Sequence, residues 1–154
     1  MKVGIIVYSN TGNTLSVAEK LEKALAAKGH SVEIKRVEAE NEPSKPGSPV
    51  TLKTAPDIAP YGTVIFASPV HAFSLAPAMK LYLSQIASLN GKKTHCFVTQ
   101  EFKKAWMGGN HAIRQISSAC KTKGGSMIST GIVNWSGERR EQQIEEIVAA
   151  LSAI

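Results

Sequence analysis

A short polar loop between an apolar run and an amphipathic run limits most strongly what this chain can fold into. The loop is Ser9-Asn10-Thr11-Gly12-Asn13-Thr14; it follows apolar residues 3–8 and precedes an amphipathic run from Leu15 to Ala27. This order predicts a strand, a tight turn at Gly12 and a helix. Because the first N–H groups of a helix are unpaired and carry partial positive charge, the hydroxyl- and amide-bearing loop suits a phosphate group.

Three other kinds of phosphate-binding loop do not match this segment. A P-loop requires a lysine, which the segment lacks, and a dinucleotide-binding turn requires three spaced glycines, whereas Gly12 stands alone. A receiver domain needs acidic residues at its strand ends, but the only aspartate, Asp57, precedes the third predicted strand. An ordinary capped turn that binds nothing remains the alternative.

Three segments together resemble a known family. The pattern Ser-x-Thr-Gly-x-Thr resembles the phosphate loop of the flavodoxin-like FMN proteins. Residues 61–70 with residues 75–80 are similar to that family's third strand, flavin loop and following helix. Residues 97–100 with residues 107–110 are similar, less tightly, to the fourth strand and loop of flavodoxin-like reductases. The segments occur in the family's order and span nearly the whole chain.

Strand and helix patterns alternate along the sequence, which predicts an α/β protein with a parallel sheet. The predicted strands are residues 2–8, 31–37, 63–68, 93–100 and 126–133, and the predicted helices are residues 13–28, 76–87, 109–123 and 137–153. The resemblance implies a flavodoxin-like three-layer α/β/α sandwich whose five strands lie in the order 2-1-3-4-5. With 154 residues, we expect one domain covering residues 1–154.

A proline-rich segment stands where the resembled family usually has a helix. Residues 38–60 contain five prolines, at positions 43, 46, 49, 56 and 60. Since proline removes an N–H donor and restricts the preceding residue, we predict that an irregular loop replaces that helix.

Ligands of open α/β sheets bind outside the carboxyl ends of the strands, where the strand order reverses. The resemblance implies that three loops meet there, with the FMN phosphate in the first and the flavin ring between the other two. The candidate FMN-binding residues are Ser9, Asn10, Thr11, Gly12, Asn13 and Thr14 in the first loop, Ser68, Pro69, Val70, His71, Ala72 and Phe73 in the second, and Thr99, Gln100, Phe102, Trp106 and Gly108 in the third.

Aromatic and amide side chains suggest individual roles around the ring. His71 or Phe73 is a candidate for one flavin face, and Phe102 or Trp106 for the other. Gln100 is a candidate to hydrogen-bond the pyrimidine edge. The alternatives are an exposed loop position for His71 and packing under the next helix for Trp106. We interpret Trp135 as a packing residue.

The net charge of +6 is opposite in sign to that of acidic flavodoxins. Between residues 92 and 123 there are seven lysines and arginines, and Glu101 is the only acid. This excess of basic residues either forms a solvated surface or attracts an anion, such as NAD(P)H or an acidic redox partner. Without a recognition motif, nucleic-acid binding is not expected.

The two cysteines, Cys96 and Cys120, form no Cys-x-x-Cys pair. We expect both to be small buried residues in a reducing compartment, which favours the cytoplasm. No apolar run is long enough for a membrane span, no signal peptide is expected, and no zinc-ligand spacing occurs.

The resemblance implies an FMN-binding protein that mediates electron transfer. An NAD(P)H-dependent reductase of quinones or flavins is the alternative, favoured by the positive charge and by the lack of glycine between Ser68 and Ser74. Because a positive φ is costly without glycine, we hypothesise that the one-electron-reduced flavin is poorly stabilised. A second alternative is an interaction module that binds no FMN. No protein side chain is predicted to act as a catalytic nucleophile.

Overall fold

A computed structural model describes residues 2–41, 49–101 and 107–154. Its main strands are β1 (Lys2–Val7), β2 (Ser31–Arg36), β3 (Thr63–His71), β4 (Lys93–Gln100) and β5 (Ser126–Asn134). Its helices are α1 (Asn13–Ala27), α2 (Pro77–Gln85), α3 (Gly109–Thr122) and α4 (Arg140–Leu151). The strands are parallel and lie in the order β2-β1-β3-β4-β5, which confirms the predicted topology.

Alternation along the central strands divides the core into two clusters, one on each face of the sheet. In β1, Ile6 belongs to the cluster that includes residues of α2 and α3, whereas Ile5 and Val7 belong to the cluster that includes residues of α1 and α4. Successive side chains of a strand point to opposite faces, so a strand buried on both faces reads as continuously apolar. The result is the predicted three-layer arrangement.

The proline-rich segment contains no helix within its described residues, 38–41 and 49–60, as predicted. It instead forms two short antiparallel strands, Glu38–Ala39 and Leu52–Thr54. Ile58 is buried in the core cluster beside α2, and the Tyr82 hydroxyl donates to the Pro56 carbonyl oxygen at 2.6 Å. The segment therefore covers apolar surface without a helix.

The main departure from the predicted elements follows Ser68. β3 continues to His71, and Ser74–Leu75 pairs back onto it in antiparallel fashion, with His71 opposite Ser74. The predicted second loop is therefore a hairpin whose turn consists of Ala72 and Phe73. Such a turn was not expected because neither residue is typical of a two-residue hairpin connection.

Cys96 and Cys120 are free and buried, as predicted. Burial raises the pKa of the Cys120 thiol to about 11 and holds that of Cys96 well above its ordinary value, so both thiols are neutral at pH 7. None of the helices in the described ranges is both long and apolar enough to cross a membrane. Those ranges also contain no cluster of three potential metal-ligating side chains.

Candidate functional site

The first loop is held from within by two of its hydroxyl groups. The Ser9 hydroxyl accepts hydrogen bonds from the backbone N–H groups of Gly12 and Leu15, at 3.2 and 3.4 Å. The buried hydroxyls of Thr14 and Thr99 are 2.8 Å apart and share a hydrogen bond. These bonds fix the loop above the end of β1 and tie it to β4.

The remaining polar side chains of this loop face outward at the start of α1. Asn10 and Thr11 are exposed and Asn13 is half-buried. Gly12 has a φ of +93°, and a Cβ built there would meet no atom of the described residues within 4 Å. Open space therefore lies next to the N-terminus of α1. The first N–H groups of a helix have no preceding helical carbonyl to bond, so this geometry suits an anion.

The hairpin of the second loop has an unusual backbone. Ala72 has a φ of +50° and Phe73 a φ of +64°, so both adopt the left-handed conformation. Two-residue hairpin turns that need positive φ at both positions usually contain Asn-Gly or Asp-Gly. The absence of glycine argued against positive φ in this loop, yet two consecutive residues adopt it at a cost on the order of 1 kcal/mol each.

His71 connects the second loop to the first. Its Nε2 atom is 3.4 Å from Nδ2 of Asn10, and its ring meets the Tyr8 ring edge-on at a centroid distance of 6.2 Å. His71 is half-buried and held by these contacts, whereas the alternative was an exposed loop position; its role toward a ligand stays a prediction. Phe73, at the tip of the hairpin, is 55% exposed.

The third loop contacts the hairpin through a glycine. Gly108, with a φ of +119°, immediately precedes α3. A Cβ at this position would lie 2.8 Å from Cα of Phe73 and 3.0 Å from Cγ1 of Val70. Only a residue without a side chain allows this approach, so Gly108 places the second and third loops against each other.

Helix α3 also holds the hairpin directly. The Gln115 side-chain oxygen accepts hydrogen bonds from the Leu75 N–H at 2.8 Å and from the Ser74 hydroxyl at 3.0 Å. Gln115 is half-buried, so these bonds are partly shielded from water. The short returning strand of the hairpin is therefore anchored to the helix that follows the third loop.

Gln100 takes part in a bond between strands. It is 3% exposed, and its Nε2 donates to Oδ1 of Asn134 in β5 at 2.5 Å. Its backbone oxygen accepts from the Trp135 N–H at 2.7 Å. Gln100 thus ties the carboxyl ends of β4 and β5 together, a contact that the sequence did not indicate.

The three loops enclose a cleft of about 150 Å³ at the carboxyl ends of the strands. It is lined by Asn10, Thr11, Asn13, Pro69, Val70, His71, Thr99, Gln100, Glu101 and Trp135. Of the other predicted residues, Ser68 is fully buried and its hydroxyl donates to the Pro69 carbonyl oxygen. Phe102 and Trp106 lie outside the described residues.

Three residues near the cleft were not predicted as site residues. Glu101 lies beside the first loop, where its carboxylate accepts from Asn13 Nδ2 at 3.5 Å. Trp135 packs against the core shared by α1 and α4, as interpreted, but it also lines the cleft. Arg36, the last residue of β2, donates from Nη2 to the Ser9 carbonyl oxygen at 3.3 Å. These contacts depend on strand order, which local sequence does not encode.

Comparison with known proteins agrees with this geometry. The family model for flavodoxin matches residues 5–147. The chain belongs to the flavodoxin family. A search of curated proteins gave no match.

Solved flavodoxin structures share the fold at low sequence identity. The two-electron-reduced flavodoxin of Megasphaera elsdenii is 21% identical, with 99% of each chain covered and a TM-score of 0.71. A flavoprotein of Lactobacillus acidophilus in complex with FMN is 18% identical, covering 94% of this chain and 97% of that one, with a TM-score of 0.65. A WrbA-like flavodoxin protein of Agrobacterium tumefaciens is 9% identical, covering 98% and 94%, with a TM-score of 0.68.

Proposed function

We propose that this flavodoxin-family chain binds FMN at the three-loop cleft and transfers electrons. The observation that carries the proposal is the meeting of three loops around one cleft at the carboxyl ends of β1, β3 and β4. This is the place where open α/β sheets bind their ligands. We also propose a cytoplasmic location, which the two free buried cysteines favour.

The first loop fits a phosphate group. The Gly12 and Leu15 N–H groups donate to Ser9, which leaves the N–H groups of Asn13 and Thr14, the first two residues of α1, for the phosphate. The exposed side chains of Asn10 and Thr11 and the half-buried side chain of Asn13 supply further donors. Ser9 and Thr14 hold this arrangement from beneath through the bonds described above. When bound, FMN supplies the redox-active ring, and the protein positions it and controls its access to water.

The second and third loops fit the ring less completely. The cleft of about 150 Å³ is smaller than the 300–1,000 Å³ of typical cofactor sites, so it would enclose only part of FMN. His71 and Trp135 line the cleft and offer flat ring surfaces, and the exposed ring of Phe73 stands at the tip of the adjoining hairpin. Phe102 and Trp106 remain candidates for the other face.

A titration of FMN with the purified protein, monitored by flavin fluorescence, tests the proposal. We expect saturable quenching and a shifted flavin absorption spectrum. Thr11→Val removes an exposed hydroxyl of the first loop and should weaken FMN binding roughly fivefold, the equivalent of one hydrogen bond. Thr130→Val, which removes an exposed hydroxyl from β5, is the matched control and should bind like the wild type. Wild-type protein that binds no FMN would refute the proposal and leave the interaction module.

An NAD(P)H-dependent reductase of quinones or flavins is the second candidate. The net charge of +6 favours it, since it would attract a phosphorylated nicotinamide dinucleotide. The distinguishing measurement is NADH and NADPH oxidation by the FMN-loaded protein, with and without a quinone. Oxidation that depends on protein and quinone supports the reductase. FMN binding without such oxidation supports a carrier that exchanges electrons with a protein partner.

A further inference from the structure

We infer that Arg36 supplies a countercharge to the phosphate of FMN and makes the site selective for phosphorylated flavin. The inference rests on the proposed FMN site. Its first support is the position of Arg36 at the carboxyl end of β2, where it pairs with Val7 of β1. From there its side chain reaches the phosphate loop, and Nη2 donates to the Ser9 carbonyl oxygen at 3.3 Å.

The guanidinium group of Arg36 has donors to spare. It has five N–H donors, and the hydrogen bond that it makes to the described part of the chain uses one of them. Within the described ranges the ion pairs join other residues, and none of them includes Arg36. Arginine commonly binds carboxylate or phosphate through two parallel hydrogen bonds, so this group is well suited to an anion at the adjacent loop.

The charges around the loop favour a role for Arg36 in phosphate binding. Residues 9–14 contain no cation, and the Glu101 carboxylate lies on the α1 side through its contact with Asn13. A phosphate dianion at this loop would be repelled by Glu101. Arg36, which approaches from the β2 side, offsets that repulsion.

The proline-rich segment positions Arg36. The Thr54 hydroxyl donates to the Arg36 carbonyl oxygen at 2.8 Å and accepts from the Glu38 N–H at 2.9 Å. The short strands that replace the expected helix therefore hold the backbone from which Arg36 extends. This gives the segment a role in shaping the phosphate site.

The test compares FMN with riboflavin, which has the same ring and no phosphate. Dissociation constants are measured at low ionic strength for the wild type, Arg36→Gln and Lys35→Gln. Lys35 is the adjacent residue on β2, its side chain points to the opposite face, and its removal changes net charge equally. We expect Arg36→Gln to weaken FMN binding roughly threefold to tenfold, because the group is exposed and its charge partly screened. Riboflavin binding should not change.

Further measurements separate charge from structure. Added salt should shrink the difference between wild type and Arg36→Gln, and Arg36→Lys should retain part of the FMN affinity. Binding of inorganic phosphate can be monitored through the amide chemical shifts of residues 9–14. We expect the wild type to bind phosphate more tightly than Arg36→Gln does.

Two outcomes would overturn the inference, and both differ from failure of the proposed function. If Arg36→Gln and Lys35→Gln bind FMN alike, or if Arg36→Gln weakens FMN and riboflavin equally, Arg36 is not a phosphate countercharge. If wild-type protein binds neither flavin, the proposed function fails as well.

Discussion

Two residues beside the cleft adopt a left-handed backbone conformation that is unfavourable for residues other than glycine. Ala72 and Phe73 are left-handed without being glycine, and Gly108 lies against the backbone of Phe73. Non-glycine residues in this conformation are found mostly where packing and hydrogen bonds over-determine the chain, and such places are often functional. The strain is therefore concentrated at the edge of the proposed flavin site.

Ala72→Gly should stabilise the protein. Glycine removes the left-handed penalty of Ala72 but adds unfolded-state entropy, so we expect a net gain of about 0.5 kcal/mol in the free energy of unfolding. Urea unfolding followed by circular dichroism measures it. Asn90→Gly is the control: Asn90 also has a positive φ, of +48°, but asparagine tolerates it, so the gain should be smaller. A loss of stability in Ala72→Gly would contradict the strain at this turn.

Gly108→Ala should destabilise the protein and weaken FMN binding. The added Cβ would lie 2.8 Å from Cα of Phe73, so the hairpin has to move, at a cost of about 2 kcal/mol. Gly124→Ala controls for backbone strain alone, because Gly124 has a φ of +85° and none of the residues in the described ranges has an atom within 4 Å of its Cβ position. Equal losses in the two variants, measured by thermal unfolding and FMN titration, would show that the Phe73 contact is unimportant.

At the scale of elements, the hairpin depends on α3. Gln115 bonds both Ser74 and Leu75, and Gly108 is the residue immediately before the same helix, so α3 and its N-cap support the hairpin at two points. The hairpin has only two residue pairs of its own, which is too few for an isolated hairpin to be stable.

Gln115→Ala should therefore loosen the hairpin locally. The Leu75 N–H loses its acceptor, and we expect its amide hydrogen exchange to quicken roughly tenfold, equivalent to the loss of one hydrogen bond of about 1.4 kcal/mol. Exchange in β1 should stay unchanged. Arg114→Ala, at an exposed neighbouring position of α3, is the control and should leave Leu75 protected. Unchanged exchange at Leu75 in Gln115→Ala would contradict the anchoring role.

Elements were predicted from the sequence more reliably than the contacts between them. The strands and helices followed from apolar periodicity and from glycines such as Gly29 and Gly124, which are local signals. The hairpin after Ser68 was missed because Ala72-Phe73 carries no turn signal. The contacts of Arg36 with Ser9 and of Gln100 with Asn134 were missed because strand pairing brings together residues that are distant in sequence.

At the scale of the whole molecule, a buried histidine links stability to pH. His95, in β4 between β3 and β5, is 1% exposed, and neither ring nitrogen has a hydrogen-bond partner among the residues that the structure describes. Burial, with a smaller contribution from the charge of Lys93, lowers the pKa of His95. The ring is therefore neutral in the folded protein at pH 7.

Acidification should destabilise the fold through His95. Below pH 6.5, about the pKa of histidine in the unfolded chain, His95 binds a proton in the unfolded chain but not in the folded one. The free energy of unfolding therefore falls as the pH falls, by up to about 1.4 kcal/mol per pH unit. The loss continues until the pH reaches the lowered folded pKa. Urea unfolding between pH 7.5 and 5.5 should show a shallower slope for His95→Leu than for wild type. Parallel slopes would contradict the assignment.

The contact between Gly108 and Phe73 has a consequence for recombination between related chains. Residues 70–75 and the start of α3 fit each other through the close approach of Gly108 to Phe73 and the hydrogen bonds of Gln115 to Ser74 and Leu75. A chimera with a crossover between these segments would join a hairpin of one parent to a helix of the other. We expect functional recombinants of this chain to exchange the two segments as one block.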